Sequence, residues 1–117
     1  MRVPGLILLL GLSSLAVAET IDMSNMHAAE PPPARQAELI HLVRQDCGSC
    51  HGMTLKGGLG SPLLPEILRD KPVSSLVATV LQGRPGTAMP PWKSILSEAE
   101  AEWIVVRLLD GFPQDAQ

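Results

Sequence analysis

The run Cys47-Gly48-Ser49-Cys50-His51 places two thiols and an imidazole in five consecutive residues, and it constrains this chain more than any other feature. Thiols at this spacing can add across the vinyl groups of a haem while the adjacent imidazole turns onto the iron, a reading that uses all three side chains. A thioredoxin-like redox site would start a helix at its first cysteine. Here Gly52, Gly57, Gly58 and Gly60 follow so closely that a loop, not a helix, is predicted at the motif. A zinc site would need a fourth ligand, and His27 and His41 lack metal-ligand spacing to the motif. A plain disulfide would leave His51 without a role. One covalently attached haem c per chain is therefore expected.

Residues 1–18 have the form of an export signal: Arg2 is its positive end, residues 6–15 its apolar stretch and Ala16-Val17-Ala18 its small-residue cleavage site. The apolar stretch falls short of the ~20 residues that span a bilayer, and Gly11, Ser13 and Ser14 interrupt it. Cleavage after Ala18 and release into the periplasm are expected, where haem attachment and redox chemistry need not compete with cytosolic thiols. No cysteine near Ala18 could accept a lipid. Loss of Arg2 with the leader takes the formal net charge from −3 to −4, which argues against nucleic acid or an anionic membrane surface as partner. The mature form is expected to be free of the membrane and monomeric.

Residues 19–33 carry Asp22, Ser24, Asn25, Glu30 and then Pro31-Pro32-Pro33, with little to bury, and read as a flexible, proline-rich arm. Met23, Met26 and His27 form a soft-ligand cluster in it, either a copper(I) holder or plain linker. Residues 34–113 read as one folded domain and 114–117 as a tail. A domain so small needs a staple, and a haem held among apolar side chains supplies core area that an aromatic content of 3% does not.

The domain reads as all-α. Ala37, Leu39, Ile40, Leu42 and Val43 recur at helical spacing over residues 34–46. A short helix is predicted over residues 65–69, and Pro72 opens a longer one that Gly83 closes. Ser97 with Glu100 is a capping box for the last helix, which Gly111 and Pro113 end.

Taken together, residues 34–112 resemble a class I cytochrome c, in which the first and last helices pack together and a helical shell closes round one haem. More particularly, residues 42–59, the run Gly83-Arg84-Pro85-Gly86-Thr87-Ala88-Met89-Pro90-Pro91-Trp92 and residues 96–112 resemble the NirC-type small periplasmic cytochromes c of denitrifying bacteria. Those proteins are associated with the d-type haem nitrite reductase. The resemblance implies that a backbone carbonyl just after Gly60 fixes the His51 ring. Ser61 stands where a proline is usual, so the acceptor is the carbonyl of either Ser61 or Pro62.

On this reading Cys47 and Cys50 bind the cofactor, and His51 and Met89 ligate the metal. Met89 lies far enough along the chain to reach the opposite face of the haem, in a loop stiffened by Pro90 and Pro91. A thioether opposite an imidazole raises the reduction potential. Met53 follows His51 too closely to cross the haem and is expected at its edge, and His41 is expected to be solvated. Arg84 suits either a haem propionate or a solvated helix end; Trp92 suits packing under the ligand loop. In the first helix, Leu39 and Val43 occupy positions where many such proteins place a small residue and an aromatic, and which face of the last helix turns inward stays open.

No serine, histidine and aspartate set is present, so an electron carrier and not an enzyme is expected. The resemblance implies donation to the d-type haem nitrite reductase in denitrification, with a redox role in d-type haem maturation as the alternative. A reading from another class is a haem-based sensor in which a small ligand displaces Met89.

Overall fold

The computed structural model describes residues 30–113; the expected signal peptide, the soft-ligand cluster, most of the arm and the tail lie outside the described residues. Within them the order is α1 (Pro33–Leu42), a π-helical turn (Val43–Cys47), α2 (Gly48–His51), α3 (Pro65–Leu68), α4 (Val73–Gln82) and α5 (Glu98–Asp110), and no strand occurs among the described residues. Prolines start three of these helices, where a missing N–H is harmless: Pro33 and Pro65 inside the first turn, Pro72 just before it.

The first helix does not stop before the motif, as the glycines suggested. Its backbone stays right-handed through Val43 (φ −62°, ψ −43°), Cys47 (φ −65°, ψ −41°) and Gly48 (φ −61°, ψ −27°). The chain leaves the helix only at Gly52, where φ is +89°. The expected loop at the motif is thus replaced by one continuous helical run from Pro33 to His51, with a π-helical turn just before the first thiol. Gly48 adopts an ordinary helical conformation; the glycines that break the helix are those after His51.

Leu39 and Val43, both 0% exposed, meet Trp103, Ile104 and Leu108 of α5 in the main core, with Leu68 of α3 and Leu55 and Leu96 from the loops. On the α1 side the helix crossing is therefore filled by aliphatic side chains, each worth roughly 1.5–3 kcal/mol when fully buried, and on the α5 side by Trp103, Ile104 and Leu108. A second cluster joins Val77 of α4 to Ala101 and Val105. Both questions left by the sequence are answered: α5 is buried on two sides, one toward α1 and one toward α4.

Polar contacts lock the helix ends. Ser97 accepts from the Glu100 N–H at 3.2 Å while the Glu100 carboxylate accepts from the Ser97 N–H at 2.9 Å, completing the capping box. The other oxygen of Glu100 accepts from Arg35 Nε at 2.6 Å, so the cap of α5 is tied to the start of α1. Arg44 is 6% exposed and, among the described residues, is in no ion pair with a carboxylate. Its guanidinium donates to the carbonyls of Phe112 (3.0 Å) and Pro113 (2.8 Å) and lies 5.4 Å from the centre of the Phe112 ring. The end of the expected arm is also held: Glu30 pairs with Arg107 at 2.7 Å, and the Pro31 carbonyl accepts from Gln36 at 2.8 Å.

The hydrogen bond from Arg35, followed by that from the Ser97 backbone, holds the Glu100 carboxyl below its ordinary value of 4.5. A carboxylate depressed on folding adds stability that is fully present above its unfolded pKa and is lost as pH falls through the folded value. Ser97→Ala is expected to lower stability by about 1 kcal/mol at neutral pH in denaturant titrations. Glu100→Gln is expected to flatten the decline in stability below about pH 4.5, the ordinary value of that carboxyl; an unchanged acid limb would contradict the assigned role of Glu100.

Candidate functional site

Residues at positions i, i+3 and i+4 of a helix share one face. Cys47, Cys50 and His51 have that spacing, and because the helical run continues to His51 their side chains emerge along one side of it. Both cysteines are free and half-buried. Burial, and then the neighbouring Asp46 carboxylate, pushes the Cys47 thiol up to about 11. The Ser49 hydroxyl donates to the Asp46 carbonyl at 2.7 Å and lies 3.9 Å from Cys50 Sγ.

The last carbonyls of a helix have no partner inside it. Here the glycine loop supplies them: Gly60 N–H donates to the Cys50 carbonyl and Gly57 N–H to the His51 carbonyl, each at 2.8 Å. The same turn lays Gly60 against the imidazole, where a Cβ would stand 2.7 Å from His51 Nδ1, so no larger residue fits without displacing the ring or the loop. One residue on, the Ser61 carbonyl lies 2.6 Å from Nδ1. A carbonyl only accepts, so Nδ1 carries a proton, and in the neutral ring Nε2 is then the nitrogen with the lone pair. Ser61, not Pro62, is the acceptor.

Leu55 shapes this loop in a way the sequence did not signal. It is 2% exposed and sits at φ +60°, a conformation costing a non-glycine residue roughly 1–2 kcal/mol. Burial of its side chain in the main core offsets that cost, and its carbonyl accepts from Leu63 N–H at 2.9 Å, closing the loop.

Met89 is presented from a separate loop, residues 83–96, folded across the end of α4. Gly83 ends α4 at φ +67°, and a Cβ there would meet the Met89 carbonyl oxygen and Pro91 nitrogen at 2.7 Å. Arg84 N–H donates to the Met89 carbonyl at 3.2 Å. The Thr87 hydroxyl donates to the Arg84 carbonyl at 2.7 Å and accepts from Met89 N–H at 3.3 Å. Beyond Met89, Trp92 and Lys93 donate to the Val80 and Leu81 carbonyls at 3.1 and 3.2 Å. The half-buried Met89 thus sits on backbone held from both sides.

Of the other residues singled out, Trp92 packs against the main core as expected. Arg84 and His41 are exposed, and Met53 is 57% exposed. Arg44 was not anticipated. Its only sequence signal is a charged residue directly beside the buried stripe of α1, a position easily taken for the solvated flank.

These donors fit a covalently held haem. Two thiols and an imidazole share one helix face, the ring is cradled by a glycine where a Cβ would intrude, and its outer nitrogen is left as a base. Half-buried apolar side chains of α4 and the 83–96 loop, Leu76, Val80, Leu81 and Trp92, border the core. A 490 Å³ groove between α4 and α5, lined by Val77, Leu81, Glu98 and Glu102 among others, contains none of the expected donors.

Residues 34–106 match the family model described as Cytochrome C oxidase, cbb3-type, subunit III. The chain is similar to cytochrome c55X of Pseudomonas aeruginosa, 54% identical over 98 residues that cover 84% of this chain and 82% of the relative. Among solved structures it is similar to the c-type cytochrome NirC, at 62% identity and a TM-score of 0.68, over 69% of this chain and 95% of that one. It is also similar to the dihydro-heme d1 dehydrogenase NirN in complex with DHE, at 36% identity and a TM-score of 0.57. That likeness covers 66% of this chain but 17% of the dehydrogenase.

Gly60→Ala is expected to displace the His51 ring and to destabilise the folded protein by about 1–3 kcal/mol, the range for overpacking. The hydrogen-bonded Nδ1 proton should be lost from the NMR spectrum. Ser61→Ala keeps the carbonyl and should leave both observables as they are; loss of the Nδ1 signal in that variant would contradict the backbone assignment.

Proposed function

The chain belongs to the c-type cytochromes, in the cytochrome c55X group, and from that premise we propose that it carries a single haem c bound by Cys47 and Cys50 and ligated by His51 and Met89. The family makes the chain an electron carrier with a redox partner, and small c-type cytochromes of this kind are periplasmic or exported. One observation carries the assignment of the haem side: both sulfurs and the imidazole lie on one helix face, with His51 Nδ1 donating to the Ser61 carbonyl at 2.6 Å.

When bound, the haem supplies an iron that exchanges one electron and a conjugated ring through which that electron enters and leaves. The chain's own residues supply the rest. Cys47 and Cys50, as thioethers, fix the ring to a helix that cannot turn without disturbing the Leu39 and Val43 contacts. The Ser61 carbonyl orients the imidazole of His51 and raises its basicity. Gly83, Arg84 and Thr87 hold the backbone on both sides of Met89, so little loop entropy opposes its ligation. His51 and Met89 together set a potential higher than a pair of imidazoles would.

The proposed acceptor is the d-type haem nitrite reductase, a reading supported by the likeness to NirC. The likeness to part of the dihydro-heme d1 dehydrogenase supports a second one, in which the chain takes electrons released while d-type haem is made. A dehydrogenation yields electrons in pairs, so two molecules of a one-electron carrier would leave reduced for each turnover.

Reduced protein mixed with mature nitrite reductase and nitrite should be oxidised within the catalytic cycle if the first reading holds. Absence of transfer there, with rapid reduction of the oxidised protein by the dehydrogenase and its dihydro-haem substrate, would replace it by the second.

For the axial pair, Met89→His is expected to keep a low-spin spectrum, lose the sulfur-to-iron band and lower the midpoint potential. Met89→Ala should open the reduced iron to carbon monoxide. Ready carbon monoxide binding by the unaltered protein would overturn the Met89 assignment and favour a ligand-binding sensor.

A further inference from the structure

The helical run from Pro33 to His51 is irregular at one place, directly before the proposed haem site. Across Val43–Cys47 it is π-helical, and the Gly48 N–H reaches the carbonyl of Val43, five residues back, as well as that of Gln45. Such turns are rare, and those inside α-helices gather at functional sites. The effect on the motif follows from counting. An α-helix turns by ~100° per residue, and residues four or seven apart share a stripe. In an unbroken α-helix Val43, Cys47 and Cys50 would therefore fall on one stripe, and His51 would fall on the stripe of Arg44. A bond to the fifth residue back takes in one residue more than a bond to the fourth, so the bulge turns the motif back by about one residue, ~100°, away from the side of Arg44.

Arg44 lies inside this turn and is 6% exposed. Its Nε donates to the Pro113 carbonyl at 3.2 Å, and Nη2 donates to the carbonyls of Phe112 and Pro113 at 3.0 and 2.8 Å. Both acceptors follow Gly111, which ends α5. The turn is thus referred to α5, while the motif beyond it is held by the glycine loop, through the Cys50 and His51 carbonyls. Met89 is referred to α5 by another route, since its loop follows α4 and α4 packs on Ala101 and Val105 through Val77. The two proposed iron ligands therefore stand on separate parts of the fold, and the rotation of the motif helix sets whether an iron held by His51 faces Met89.

We propose that Arg44 is a positioning residue: by pinning the π-helical turn to the carbonyls beyond α5, it fixes the rotation at which the motif helix offers the haem iron to Met89. This rests on the proposed haem site. Arg44 acts through the turn and not by touching either ligand. A guanidinium suits the task because its rigid fork, bonded to two carbonyls at once, fixes the backbone that carries it, as a single ammonium on a flexible stem does not. Once those bonds are gone, residue 44 can follow the segment after it, the turn relaxes to an α-helix and the motif swings toward the side that Arg44 occupied.

The test uses holoprotein variants: Arg44→Met, Arg44→Lys, deletion of Gln45, and Arg44→Met combined with that deletion. Gln45 is exposed in the middle of the turn. Its removal takes out the surplus residue, so the run can be α-helical throughout with both faces where they are. Three properties are read: the sulfur-to-iron band, carbon monoxide binding by the reduced form, and the NMR shift of the Leu39 and Val43 methyl groups between reduced and oxidised states. The last depends on the direction of the paramagnetic iron from α1. Arg44→Met is expected to lose the band, bind carbon monoxide and move the methyl shifts; Arg44→Lys should do the same to a smaller extent. Deletion of Gln45 alone should leave all three as they are, and added to Arg44→Met it should restore them.

A clamp that only adds stability predicts an earlier unfolding midpoint with band and shifts unchanged. That result in Arg44→Met and Arg44→Lys would overturn the proposal, as would a deletion of Gln45 that loses the band or fails to restore it. Where Arg44→Met yields no folded holoprotein, Arg44→Lys decides, because it keeps the charge and a donor to one carbonyl. An unaltered protein that binds no haem removes the proposed site itself, whereas a haem-bearing one whose variants keep band and shifts removes only the role given to Arg44.

Discussion

The helix that carries the motif must reach His51 and then stop. It must reach it, because only a helical backbone puts residues 47, 50 and 51 on one face. It must stop there, because the last two carbonyls of the run, on Cys50 and His51, need donors from outside. The loop of residues 52–61 meets both needs at once: the N–H groups of Gly57 and Gly60 satisfy those carbonyls, and the same turn brings the Ser61 carbonyl to His51 Nδ1. Capping and ring orientation are therefore one structural event. A change that loosens the loop at Gly60 would uncap the helix and free the imidazole together.

The position of that helix depends in turn on α5. Leu39 and Val43 have no solvent exposure because Trp103, Ile104 and Leu108 cover them, while the other side of α5 takes Val77 of α4 through Ala101 and Val105. Since α4 ends at Gly83, under the loop that presents Met89, α5 is the common reference for both proposed ligand loops. Arg44 and Glu100 strengthen this at opposite ends of the helix pair. Arg44 ties the motif helix to the carbonyls that follow α5, and Glu100 ties the cap of α5 to the start of α1. An arginine satisfied by carbonyls at the end of a helix needs no carboxylate, which accounts for its burial with no ion pair among the described residues.

Much of this was legible in the chain. Pro72 and Gly83 bracket α4, and Ser97, Glu100 and Gly111 bracket α5, because caps and breakers act locally and do not wait for tertiary structure. The run through the motif was not legible for the opposite reason. Four glycines after Cys50 read as a loop, yet Gly48 takes helical angles and the break comes at Gly52, so the boundary depends on the partners the loop supplies. The choice between Ser61 and Pro62 was open because both carbonyls are close in sequence, and only the path of the turn selects one. Arg44 was missed because periodicity marks apolar positions, and its partners lie beyond α5, about seventy residues away.

The placement of charge follows from the same architecture. Helices α1 and α5 meet in the main core, and Arg35 near the start of α1 reaches Glu100 in the first turn of α5. The loops over residues 52–63 and 83–96 spend their backbone polar groups on capping and turn closure, leaving their side chains without opposite neighbours. Lys56 and Arg84 stand beside Gly57 and Met89, which are held by backbone groups and the Thr87 hydroxyl and not by the side chains of Lys56 or Arg84. A charge placed there can be reversed without removing a contact that holds the fold, whereas reversing Arg35 or Arg107 would break an ion pair. Maintenance of the fold therefore falls on Arg35, Arg44 and Arg107, and the charges of the two ligand loops can change while the geometry round His51 stays as it is.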